Sequence, residues 1–359
     1  MLLRLKRGSR PASVFCMYRG SGVQSRFQST FSTTPSHIQH NKQQAPTVET
    51  VTGDISTELF RKIAWIPETP LLLQASQGFP AIQKWFQYDK GNTRAGFSQY
   101  LKAYEAFFVP YEFTIAQVSP SGGLFAEHDV LVAYLRWLHE SPEYKTSPLP
   151  AVVETIIQEL SAATQRDGAP LTFHQFHAYL GLIISACEFN RARIEPAETI
   201  KSLYVAQCDL SLLPERLRHD LPVPDVVIRA GKGDIYNSSI WLGLQPTYTP
   251  LHRDPNPNLF CQLASTKRIR LVTPSQGDLI YARVRRELGS NGNSRFRGAE
   301  MMGGRERELL HHAVWDDDSV PEVLLDSGDA LFIPKGWWHS VASNGREGEL
   351  NASVNWWFR

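Results

Sequence analysis

The chain has 359 residues, of which 42% are hydrophobic and 11% aromatic, enough to fill one large core or two ordinary ones. No apolar run approaches the roughly 18 residues of a membrane span, and four scattered cysteines without a C-x-x-C exclude a disulfide framework. The net charge of +1 conceals an asymmetry: residues 1–48 hold seven bases and no acid, leaving 30 bases against 36 acids in the remainder, so the folded part as a whole has no polyanion-binding character.

Residues 1–48 are Arg- and Ser-rich and free of acids, with apolar residues among the bases, which is the composition of a mitochondrial presequence. Arg26-Phe27-Gln28-Ser29 looks like the Arg-bearing sites at which such leaders are cut. The expectation is a matrix protein whose fold occupies residues 49–359, the alternative for the leader being a disordered basic tail.

After the leader, Trp65 to Leu73 contains a short buried strand, and Phe79-Pro80 opens a helix with proline near its start. Residues 94–107 read as helical, and Val109 to Ile115 alternates as a strand. From about 120 to 200 the period is helical. Leu131, Tyr134, Leu135 and Leu138 mark one apolar face, Val152, Val153, Ile156 and Ile157 a second, and Phe173, Phe176, Leu180, Ile183 and Cys187 a third. His128, His139, His174 and His177 lie here without an acidic or Cys partner at ligand spacing, which weighs against a metal.

From about residue 200 the period changes to β. Residues 202–207, 239–244, 259–263, 268–273, 323–325, 330–333 and 352–358 are short apolar runs split by Gly, Pro and Asn turns, the pattern of a sandwich or jelly roll. Residues 282–307 interrupt it with seven arginines, three acids and no periodicity, and read as a long loop, either functional or solvated.

Within the β region, His252-Arg253-Asp254 sets an imidazole and a carboxylate two residues apart, and residues i and i+2 of a strand share a face. A third donor stands 85 positions after Asp254, at His339. Two His and one carboxylate make the facial triad of non-haem Fe(II) sites, which leaves the opposite metal positions open. Alone, the H-x-D is weak evidence. It also opens the catalytic loop of protein kinases, but position 259 is Leu where that loop needs Asn, and no D-F-G or Gly-rich loop accompanies it. His311-His312 competes with His339 for the third place, without a Gly-Asp turn and apolar strand before it.

Thr249-Pro250-Leu251-His252-Arg253-Asp254, the run from Gly328 to His339 and the closing Val354-Asn355-Trp356-Trp357-Phe358 together resemble the JmjC family of 2-oxoglutarate oxygenases. The likeness extends through Leu203 to Gln207 and Ile240 to Gly243; it is close over residues 200–359 and loose over 67–115. Within the family the chain is most similar to the small JmjC protein hydroxylases, the arginyl-hydroxylase-like group included. The resemblance implies a mainly β fold, a double-stranded β-helix of the jelly-roll or cupin type, with a helical region at about 120–200. It implies His252, Asp254 and His339 as iron ligands and Lys267, fifteen positions after His252, as the cation holding the distal carboxylate of 2-oxoglutarate. Thr249 and Tyr204 would bond the same co-substrate, and Asn258 and Asn355 would line its pocket. Trp241, Phe260, Phe332 and Trp356 are candidate walls. The implied reaction uses Fe(II), 2-oxoglutarate and O2, releases succinate and CO2, and hydroxylates a C–H bond of a protein partner. Without the resemblance, Lys267 reads as a strand-end surface lysine, Tyr204 as a core aromatic and Asn258 as a turn residue.

Four other readings stay open. A demethylase differs only in which C–H is attacked, and an RNA-directed hydroxylase would use the arginines of 283–307 as its nucleic-acid contact. A JmjC-like binding protein without catalysis would be favoured by a broken triad. A cupin with another metal, such as an isomerase, would have no use for Lys267 and Thr249.

Overall fold

Residues 47–88, 95–116, 126–167, 171–289 and 303–359 are described by the computed structural model; all but the last two residues of the segment 1–48 expected to be a presequence lie outside them. In chain order the elements are β1 (Glu49–Thr52), α1 (Thr57–Phe60, continued by a π turn over Arg61–Trp65), β2 (Leu71–Gln74), α2 (Pro80–Lys84), β3 (Phe86–Tyr88), β4 (Ala95–Phe97), α3 (Gln99–Lys102) and β5 (Phe108–Ala116). Next come α4 (Ala126–Glu140), α5 (Leu149–Asp167), β6 (Leu171–Tyr179), α6 (Gly181–Arg191), β7 (Leu203–Asp209), α7 (Glu215–His219), α8 (Asp225–Arg229), β8 (Ile235–Leu244), β9 (Tyr248–Arg253), β10 (Asn258–Ala264) and β11 (Lys267–Val272). The chain closes with α9 (Pro274–Glu287), α10 (Gly304–Trp315), β12 (Glu322–Leu325), β13 (Ala330–Ile333), β14 (Trp338–Ser343) and β15 (Leu350–Phe358).

Nine strands form one sheet in the order β1-β2-β13-β10-β15-β8-β7-β5-β6, and four form a second, β12-β11-β14-β9. All neighbours in them are antiparallel except β1 and β2. Side-chain alternation sorts each strand between two environments. On β10, Leu259, Cys261 and Leu263 join the large cluster beneath the helices, while Phe260 packs toward the smaller sheet. On β13, Phe332 goes to the helical side, and Leu331 and Ile333 meet Ile269 and Leu271 of β11 between the sheets. On the far side of the smaller sheet, Val272 and Trp338 are covered by Tyr281 and Val284 of α9 and Leu310 and Val314 of α10. The order is therefore helices, large sheet, small sheet, helix pair: a mainly β jelly roll with helical additions.

Two expectations are corrected. The third apolar face of the helical region is half strand: β6 pairs with β5 residue by residue from Phe108↔Tyr179 to Ala116↔Leu171, and the helix begins only at Gly181. Phe176, Ala178 and Leu180 are the buried set, a period of two that the spacing of Phe173, Phe176 and Leu180 masks. Similarly, residues 94–107 hold β4 and the single turn α3 rather than one helix.

The Arg-rich segment 282–307 is helical at both described ends. α9 starts at Thr273, whose side chain accepts from the Gln276 amide, with Pro274 in the first helical position. It runs to Glu287, and α10 resumes at Gly304; residues 290–302 lie outside the described residues. The reason is pairing. Arg285 bonds Glu306 at 2.8 Å and Arg305 bonds Glu287 at 3.2 Å, so arginines that read as a free basic run tie the two helices together.

Candidate metal and co-substrate site

β9 and β14 are antiparallel neighbours with His252 directly opposite His339, and Asp254 lies just past the end of β9. This register brings one donor atom from each of the three residues within 4.8 Å of the others, the one such His/Cys/Asp/Glu group among the described residues. His252 Nε2 is 3.9 Å and His339 Nε2 3.6 Å from the Asp254 carboxylate oxygens, and the two imidazoles stand 4.2 Å apart. Each ring turns its other nitrogen to a backbone carbonyl, His252 Nδ1 to Pro250 at 2.8 Å and His339 Nδ1 to Trp337 at 3.4 Å. A proton on Nδ1 leaves the Nε2 lone pair for a cation. Burial pushes the His339 imidazole well below its ordinary pKa, with His252 adding to the effect, and a neutral imidazole is the form that ligates. Two neutral nitrogens and one carboxylate fit a divalent iron with an open face.

The Asp254 carboxylate is held from behind by a relay. Asn258 Nδ2 donates to Asp254 Oδ2 at 3.0 Å, Asn355 Nδ2 to Asn258 Oδ1 at 3.1 Å, and Trp241 Nε1 to Asn355 Oδ1 at 2.8 Å. Each amide thus has its orientation set by the next donor. Partners of this kind typically tune metal affinity 10- to 100-fold. Trp241→Phe, which keeps the ring against Tyr204 but loses the N–H, should weaken Mn(II) binding about 10-fold in an equilibrium titration; unchanged affinity would show that the relay does not orient Asp254.

The triad opens into a cavity of about 740 Å³, solvent at its mouth included, which Tyr204, Trp241, Thr249, Asn258, Phe260, Lys267 and Asn355 also line. Lys267 starts β11 and points between the sheets, only 2% exposed. Its ammonium donates to Ser353 Oγ at 2.9 Å and Tyr204 OH at 3.4 Å, and no ion pair satisfies it among the described residues. Burial lowers its pKa from 10.5 to about 7. A buried cation held by two hydroxyls and the Phe260 and Tyr204 rings, with no anion beside it among the described residues, fits an incoming carboxylate. Burial also raises the Tyr204 pKa, keeping that phenol protonated as a donor.

All eight expected site residues therefore line one cavity. Of the four walls, Trp241 and Phe260 face it, but Phe332 and Trp356 do not: each falls on the outward phase of its strand and packs in the helical cluster. Trp357 and Val341 take their places. Ser353 and Trp357 escaped the sequence reading, although both share the face of Asn355 on β15, two residues to either side. Glu112 of β5 is a further lining carboxylate; burial raises its pKa, and Gln175 donates to it at 3.2 Å. His311 bonds the Tyr248 hydroxyl at 3.1 Å and His312 pairs with Asp316 at 2.7 Å, so neither joins the triad. His174 and His177 stand on β6, not on a helix, and join no metal-ligating group among the described residues.

A jelly roll with two imidazoles and a carboxylate converging between its sheets is a cupin-type metal-site protein. Comparison with known proteins agrees: the model of the family described as "Cupin-like domain" matches residues 60–359. The chain is similar to JmjC domain-containing protein D of Dictyostelium discoideum, 29% identical over 39% of this chain, and to Jumonji C domain-containing protein 5 of Drosophila melanogaster, 27% identical over 46%. It is also 30% identical over 43% of its length to a Danio rerio protein named Lysine-specific demethylase 8. The matched segments cover 32%, 39% and 36% of those relatives' own lengths. The chain belongs to the cupin-like, JmjC-type family.

Proposed function

We propose that this chain is an Fe(II)- and 2-oxoglutarate-dependent oxygenase that hydroxylates a side chain of a protein. The observation that carries the reading is Lys267: a buried ammonium without a counter-ion among the described residues, in the same cavity as an open-faced metal triad, suits a co-substrate with a carboxylate at each end. His252, Asp254 and His339 would hold the iron, and Lys267, Ser353 and Tyr204 the distal carboxylate. Bound together, iron and 2-oxoglutarate supply O2 activation coupled to decarboxylation. The chain's own contribution is to fix the ligand geometry through Asn258, Asn355 and Trp241, and to exclude water with the aromatic walls. Glu112 and the rings of Tyr204, Trp241 and Trp357 favour a basic target side chain.

The test is release of succinate from 2-oxoglutarate by the purified full chain. The expected outcome is turnover that requires Fe(II), stops on chelation and rises when a basic peptide pool is added. Turnover indifferent to chelation, or none under any of these conditions, would refute the proposal. A demethylase would begin with the same attack on an N-methyl C–H, and the name of the Danio rerio relative keeps that second reading in view; formaldehyde released alongside succinate separates it from simple hydroxylation.

A further inference from the structure

The cavity leads outward. Gln207, Asp254 and Trp357 line both it and a wider groove of about 1610 Å³, open to solvent. Gln207 stands where the β7–β8 register shifts between Val205 and Cys208, with φ +51°, a left-handed conformation that a non-glycine residue seldom adopts. A bulge of this kind re-aims one side chain out of the strand's alternation. Here it turns the carboxamide of Gln207 to the junction of cavity and groove. Asn237 and Asn256 line the groove beyond it. Asn237 uses its oxygen on the Ser238 amide and keeps its NH2 group, while the side chains of Gln207 and Asn256 make no hydrogen bond among the described residues. Carboxamides offer both donors and acceptors, which is what the alternating N–H and C=O groups of an extended peptide require.

The groove's charge is one-sided. Apart from Asp254, which belongs to the metal triad, its charged lining residues are Arg253 and Lys335. Arg253 pairs with Asp278 at 2.9 Å. Lys335, on the exposed turn before β14, has no ion pair among the described residues. A nucleic-acid strand is gripped by a row of cations along its phosphates, and one available lysine among carboxamides is not such a row. A single acidic side chain suits it better.

We propose that this groove seats the extended backbone of a polypeptide substrate, with Gln207, Asn237 and Asn256 pairing with its peptide groups and Lys335 selecting an acidic residue beside the one that enters the cavity. The proposal rests on the oxygenase reading for what happens inside the cavity, and the groove itself is tested by binding.

The probes are two fluorescein-labelled peptide pools with a central Lys or Arg, one flanked by Asp and Glu and the other by Lys, and a single-stranded RNA 12-mer. Their binding to the full chain with Mn(II) and 2-oxoglutarate under argon is read by fluorescence polarisation. The acid-flanked pool is expected to bind about 5-fold tighter. Lys335→Glu should reverse that order, and Asn237→Ala, at a position that lines the groove and not the cavity, should weaken both pools without altering Mn(II) or 2-oxoglutarate binding. Equal binding of both pools, a preference untouched by Lys335→Glu, or binding of the RNA instead of peptide would overturn the proposal. So would failure of both pools with Mn(II) and 2-oxoglutarate still bound, an outcome that leaves the oxygenase reading standing. That reading fails separately, if Mn(II)-dependent binding of 2-oxoglutarate is absent from the same wild-type sample, and in that event the peptide result still decides the groove.

Discussion

Asp254→Ala is expected to abolish Fe(II)-dependent succinate formation and to weaken Mn(II) binding by more than about 100-fold, beyond the usual effect of losing a residue that merely supports a ligand. The physical reason is charge. His252 and His339 provide two neutral nitrogens, and Asp254 is the only anion in the triad, so its loss leaves a divalent cation uncompensated in a site where His339 is 3% exposed. Asp254→Asn keeps the volume and removes the charge; it should fail almost as completely, which separates electrostatics from packing. Mn(II) at 100 times the wild-type Kd should stabilise the wild-type chain against unfolding by about 2.7 kcal/mol and the Asp254→Ala chain by no more than about 0.4 kcal/mol, a comparison available from thermal melts. His312→Ala serves as a control and should leave turnover within about 2-fold, since its partner is Asp316 and exposed changes away from a site are close to neutral. Retained turnover in Asp254→Ala would remove the residue from the metal site.

The strands that build the site were readable because each is short, apolar and bounded by turn residues; β8, β10, β11, β13 and β15 lie close to where alternation puts them. What local pattern could not supply was the phase. Phe332 and Trp356 are apolar and close in sequence to site residues, yet each points away because its neighbour points in. A candidate wall has to be counted from a residue of known facing: starting from Asn355, steps of two reach Ser353 and Trp357, and starting from Phe260 a step of two reaches Asn258. The relay behind Asp254 was hidden for a different reason. Trp241, Asn258 and Asn355 come from three strands, and only the sheet order β10-β15-β8 lays them side by side. The helices α9 and α10 were hidden by composition. Their apolar faces are narrow, Tyr281 and Val284 on one and Leu310 and Val314 on the other, and the arginines around them looked like a loop until their carboxylate partners on the facing helix were known.

Lys267→Ala should raise the 2-oxoglutarate requirement about 100-fold, the scale for deleting one partner of a buried, hydrogen-bonded charge pair, while leaving Mn(II) binding nearly unchanged. The pH dependence is the sharper test. Burial holds the Lys267 ammonium at a pKa of about 7 in the co-substrate-free protein, against roughly 10.4 for a free lysine. Between these values the unfolded chain carries a proton that the folded chain lacks. Stability of the co-substrate-free protein should therefore rise with pH across that window, and below about pH 7 the full desolvation penalty is present. A carboxylate bound at Lys267 favours the charged form, so above pH 7 each molecule of 2-oxoglutarate that binds must take up a proton. Its Kd should increase by up to about tenfold for each pH unit above 7, and the stability slope should flatten when it is bound. Lys267→Met, which keeps the stem and loses the titrating group, should erase both slopes. Isothermal titration in buffers of differing protonation enthalpy reads the proton uptake directly, and the same affinity at pH 7 and pH 9 in the wild type would mean that the anion does not bind at Lys267.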